Sequence, residues 1–174
     1  MSKHYDNVKG GVRLANLIVL AFDTETGAEQ MRDDLLQMQK EHIIGLDDAA
    51  VAVRDKEGKV KIKQVTSLAG AGALGGAFWG LLIGLIFFVP VFGMLVGAAA
   101  GALAGKYQDI GVDDKFIKEV GNTLQPGNSA LFLLVREMVP DKVEDALKKY
   151  KNVKVIKTSL SKEQEEKLRN TFAS

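Results

Sequence analysis

The sequence predicts an α+β domain interrupted by an apolar helical hairpin. Two nearly continuous apolar runs, Asn16 to Phe22 (NLIVLAF) and Ala130 to Arg136 (ALFLLVR), have the character of strands covered on both faces. Each is followed by a charged stretch whose apolar residues recur at three- and four-residue intervals, the period of a helix resting one face on a core. Between these two units, Gln64 to Gly105 carries no charged residue, and glycine recurs every fourth position on both sides of Pro90.

The elements follow in order. After the first strand, Asp23 or Thr24 can cap a helix running from Glu25 to about Lys40, with Ala28, Met31, Leu35 and Met38 as its core stripe. A second strand spans about Leu46 to Arg54. The turn Asp55-Lys56-Glu57-Gly58 leads into a third, where Val60, Ile62 and Val65 alternate with Lys59, Lys61 and Lys63, so the two strands form a hairpin. Beyond the apolar segment, Asp113 can cap a short helix with Phe116, Ile117, Val120 and Leu124 on one face, and Pro126-Gly127 marks a turn. Pro140 and Asp141 open a helix with Val143, Ala146, Leu147 and Tyr150 as its stripe, and Val153 to Thr158 is a closing strand. Ser161 with Gln164 fits a capping box for a last helix, anchored only by Leu168 and Phe172. Two strand–helix–strand units with an added hairpin strand are the parts of a ferredoxin-like split βαβ sandwich. Residues 1–66 supply its first half, 67–107 the inserted glycine-zipper hairpin, and 108–174 the second half with the C-terminal helix. The helices are expected on one sheet face; the other then needs a partner, a second copy or the inserted segment.

In the inserted segment, Gly72, Gly76, Gly80 and Gly84 precede Pro90, and Gly93, Gly97, Gly101 and Gly105 follow it. Glycines four apart form a slowly turning stripe on which another backbone can approach closely, so these eight are expected to pack helices or join copies of the chain. Leu68 to Phe87 would be about 30 Å long as a helix, roughly the thickness of a bilayer core. Val91 to Ala104 reaches only about 21 Å, and approaches a span if Lys106 snorkels and Tyr107 sits at the interface. Leu74, Phe78, Leu81, Leu82 and Leu85 are expected to face lipid, and Trp79 receives no role. Lys59, Lys61, Lys63 and Lys106 near the base of the hairpin are expected at lipid headgroups on the cytoplasmic side. The competing reading makes these helices the core of a soluble oligomer.

Composition narrows the function classes. The chain has 174 residues, no cysteine and a net charge of +1. Thiol chemistry, cysteine-ligated metals and a basic nucleic-acid face are thereby excluded. The short run Leu14 to Phe22 contains Asn16 and ends in Phe22-Asp23, unlike a secretory signal. Gly70 to Gly75 matches GxGxxG, but no acid follows until Asp109, and Gly101 to Lys106 lacks the spacing of a phosphate loop. His4 and His42 have no partner at ligand spacing, and the pairs Asp47-Asp48 and Asp113-Asp114 read as carboxylates at a strand start and a helix cap. Neither a catalytic constellation, a metal nor a cofactor is expected.

The segments Ala15 to Gln30, Asp47 to Val65 and Ser129 to Val135, together with the two glycine arrays, resemble an uncharacterised prokaryotic family, a domain of unknown function with a glycine-zipper membrane hairpin inserted in a ferredoxin-like domain. The resemblance implies membrane association without an assigned reaction. The resulting expectation is a non-enzymatic protein of the inner (cytoplasmic) membrane, its domain facing the cytoplasm and its partners membrane lipid and further copies of itself. Self-assembly through the glycine helices would organise or shape the membrane. An oligomeric pore or channel and a soluble oligomeric small-molecule-binding domain are the alternatives.

Overall fold

The computed structural model describes residues 16–64, 79–80, 82–84, 86–87, 114–158 and 160–173. Their elements are β1 (Asn16–Phe22), α1 (Gly27–Lys40), β2 (Ile44–Arg54), β3 (Val60–Gln64), α2 (Asp114–Thr123), β4 (Ser129–Met138), α3 (Pro140–Leu147), β5 (Lys154–Thr158) and α4 (Lys162–Ala173). Residues 79–80, 82–84 and 86–87 are helical. The architecture is α+β. One antiparallel sheet runs β3-β2-β4-β1-β5.

The two apolar runs are the central strands, paired from Asn16 with Val135 to Phe22 with Ser129. Because strand side chains alternate, each run feeds two cores. Ile18, Leu20 and Phe22 with Leu131, Leu133 and Val135 face α1, α3 and α4. Leu17, Val19 and Ala21 with Ala130, Phe132 and Leu134 face α2 and the helical residues near 79–87. Helices therefore lie on both faces, correcting the expectation that they share one. The cover of the second face comes in part from the inserted segment, one of the three sources the sequence left open.

Local signals place most boundaries. Gly27 starts α1 because its N–H donates to Thr24 Oγ1 (3.1 Å) and a Cβ there would lie 2.8 Å from Phe22. The helix closes at His42, whose positive φ of 58° takes the left-handed position usually held by glycine, while the Ile43 N–H reaches back to the Met38 carbonyl. Asp55 turns the β2–β3 hairpin by accepting the Lys59 N–H at 2.8 Å, with Gly58 at φ 83°. Pro140 opens α3, which stops at Leu147, so Tyr150 packs from the following loop instead of from the helix. Its hydroxyl donates to Asp34 on α1, and Lys149 pairs with the same carboxylate at 2.7 Å. The capping box of α4 forms reciprocally, Gln164 N–H to Ser161 Oγ and Ser161 N–H to Gln164 Oε1.

Ser129, at the start of β4, is fully buried. Its hydroxyl accepts the Ala28 N–H (3.1 Å) and donates to the Thr24 carbonyl (2.6 Å), tying β4 to the first turn of α1. Replacing Ser129 by alanine strands both backbone groups inside the protein. The expected loss is about 1–3 kcal/mol, read as a lower urea midpoint with an unchanged slope.

Candidate functional site

The second sheet face is paved with small side chains. Ala52, Ala130 and Ala21 stand in one row across β2, β4 and β1, and Ala50 lies beside Phe132 in the next. A surface this flat lets large groups settle directly on it, and Trp79, Leu82, Ile83 and Phe116 are all buried against it. Trp79 meets Phe132 edge-on, their ring centroids 6.0 Å apart.

Asp48 reaches this face because β2 is irregular. The register against β4 shifts between Leu46 and Asp48, so Leu46 pairs with Val135 and Asp48 with Leu134, leaving Asp47 as the additional residue. One extra residue reverses the alternation. Leu46 and Ala49 therefore both join the first core, while Asp48 turns to the second. Asp47 instead pairs with Arg136 at 3.4 Å. The acidic pair thus sits inside a strand at a bulge, not at a strand start.

The Asp48 carboxylate is 1% exposed, with Oδ2 accepting Trp79 Nε1–H and Oδ1 accepting the Ala49 N–H, each at 2.8 Å. Burial pushes its pKa above the ordinary 3.8 and the Asp47 charge adds to the rise, while both hydrogen bonds oppose it. With both oxygens engaged and no exposed surface, the group is built as an anchor for the indole, not as an acid or base for a substrate. It ties the apolar segment to the sheet. The sequence gives Trp79 no role, and this partnership was missed; the signal for it was an indole N–H, which needs an acceptor wherever the ring is buried.

Of the eight glycines expected to pack helices, Gly80 and Gly84 are among the described residues. Both lie off the side that Trp79, Leu82 and Ile83 turn to the sheet, and no atom would come within 4 Å of a Cβ at either position among the described residues. Gly72, Gly76, Gly93, Gly97, Gly101 and Gly105 lie outside the described residues, as do Lys106 and the hairpin tip at Pro90. Leu82 is buried against the sheet, which corrects its expected place toward lipid. A close approach occurs instead at Gly121 on α2, where a Cβ would stand 3.2 Å from the Ile86 carbonyl oxygen. Among the described residues, no helix is long and apolar enough to cross a membrane.

The lysines divide. Lys61 pairs with Asp55 at 3.4 Å and Lys63 with Glu29 on α1. Opposite Val53 and Val51 of the first core, both stand on the sheet face away from Trp79. Lys59 lies at the hairpin turn and is exposed. His42 is exposed at the end of α1, and no group of three or more potential metal ligands occurs among the described residues.

The Asp48 anchor makes a signed prediction about pH. A carboxyl whose folded pKa is raised binds more protons in the native than in the unfolded state between 3.8 and its raised value. Its contribution therefore falls as pH rises through that window and is level above it. Asp34 and Asp55, both lowered, lose their contributions at the opposite end, as pH falls below 3.8. Asp48→Asn should remove the first slope and leave the second in urea melts across pH. Trp79→Phe removes a hydrogen bond to a buried carboxyl and should cost about 1.5–3 kcal/mol at neutral pH.

No curated protein and no solved structure matches this chain. A family model does, over residues 73–173, a range that takes in most of the apolar segment and everything after it. With more than half its length matched, the chain belongs to DUF1269, a family of proteins of unknown function.

Proposed function

We propose that this protein is a non-enzymatic, self-assembling membrane-associated protein. In this reading the domain is a ferredoxin-like split sandwich into which a glycine-zipper hairpin has been inserted. The antiparallel order β5-β1-β4-β2, with β3 added at the edge, supports the first part. The uncharged stretch from Gln64 to Gly105 supports the second. The observation that carries the proposal is the two-sided helix around residues 79–87. Trp79, Leu82 and Ile83 are turned to the sheet, while Gly80 and Gly84 lie off that side with nothing over them among the described residues. One side anchors the segment to its own domain; the glycine side receives the helix of another copy. Lipid covers the remaining apolar surface, the domain lies on the cytoplasmic side, and headgroup contact falls to Lys59 and Lys106.

Burial of Leu82 and Ile83 against the sheet also favours a second reading, in which the assembly is soluble and the glycine helices are its interior. Self-association belongs to both readings and lipid to one. Gly80→Leu and Gly84→Leu should lower the oligomer size in detergent while leaving the domain folded by circular dichroism. Wild-type protein should float with liposomes and resist alkaline carbonate washing. Unchanged oligomer size in both variants overturns the glycine contact. Recovery of the wild type in the dense fraction as a defined particle overturns the membrane reading and leaves the soluble assembly.

A further inference from the structure

A cavity of about 70 Å³ lies on the opposite side of the sheet from Trp79, between the first core and the helices α3 and α4. That is roughly five times the space a single water needs. Its walls include Ile18, Ile44, Leu133, Val143, Leu147 and Leu168, with no aromatic residue among the lining side chains. Apolar cavities of this kind stay dry and take up apolar groups. Aliphatic walls without a flat aromatic surface suit a flexible methylene chain better than a ring.

Polar groups gather only on the side of α3 and α4. Glu144 pairs with Lys148 at 3.9 Å, and the Thr171 hydroxyl donates to the Lys167 carbonyl. Gln164 Oε1 accepts from Ser161, which leaves its amide nitrogen to donate outward. Lys167, exposed on α4, has no ion-pair partner among the described residues. Gln164 and Lys167 are three residues apart and therefore neighbours on one helix face. Together they offer an ammonium and an amide N–H₂ beside an apolar slot. A carboxylate accepts from two donors at once, and the nearby Glu144 disfavours a more highly charged head.

We propose that this cavity binds a medium-chain aliphatic carboxylate, its chain between the sheet and α4 and its head on Lys167 and Gln164. This site is independent of the glycine helices and of the membrane reading. Equilibrium binding of radiolabelled decanoate to the purified full-length protein, in one constant detergent, tests it. Decanoate should bind saturably at one per chain, with decanol competing about tenfold more weakly and decyltrimethylammonium not competing. Lys167→Glu, an exposed change that leaves the core intact, should weaken binding by about tenfold or more. Leu168→Phe, which fills the slot, should abolish binding while keeping the wild-type urea midpoint or raising it. Non-saturable uptake, or equal binding by the wild type and Lys167→Glu, would mean that the cavity is only a packing gap under α4 and would overturn the proposal.

Discussion

Burial of both faces of β1 and β4 is the constraint from which the rest of the structure follows. A strand that reads Asn-Leu-Ile-Val-Leu-Ala-Phe presents large apolar groups alternately to either side, and neither side can be left to water. The two faces are nonetheless built differently. The first is studded with Phe22, Val51, Val53 and Leu131, which interlock with the stripe Met31, Leu35 and Met38 of α1. The second carries four alanines, so its bulk comes largely from what is laid upon it: Trp79, Leu82, Ile83 and Phe116. The apolar segment is therefore a structural part of the domain at its near end.

The anchor at Asp48 shows how one backbone irregularity can set such an arrangement. Without the additional residue at Asp47, the regular alternation from Leu46 would direct Asp48 into the first core, among aliphatic side chains with no donor to meet it. The bulge sends the carboxyl to the face where the indole N–H waits. A desolvated acid normally opposes folding, and two hydrogen bonds at 2.8 Å offset that cost without removing it, as the raised pKa records. What the pair provides is position: an indole and a carboxyl satisfy each other in one register only.

Much of the domain was legible in the sequence, for reasons that are local. Hydrophobic period placed β1, β4, α1 and α3 within a few residues, Pro126-Gly127 marked a turn with Gly127 at φ 87°, and the Ser161–Gln164 box formed as spaced. The unread features all depend on contacts between distant residues. Trp79 and Asp48 are 31 positions apart, and the bulge that unites them changes no local pattern. The stripe Phe116, Val120 and Leu124 identifies α2 as amphipathic but does not name the sheet face it covers. Gly121 stands alone in a charged helix, outside the fourfold glycine repeat, and its close approach to the Ile86 backbone appears only once both helices are in place.

The coverings of the two faces also differ in how firmly they are held. On the first face, α1 presses five buried residues on the sheet, whereas α4 has Phe172 buried and Leu168 only partly so. Its other ties to the sheet side are few, notably Arg169 donating to the Val155 carbonyl at 2.7 Å. A helix with so few apolar anchors opens at lower free energy than the core beneath it. The aliphatic cavity lies under that helix, where a chain could enter by displacing a few contacts without unpairing a strand. The sheet is thus rigid where β1 and β4 pair along their whole length, and yielding at the edge where its cover is thinnest. A small ligand and the association of the apolar segment would act on opposite faces of the same strands, with Leu133 and Leu134 one residue apart between them.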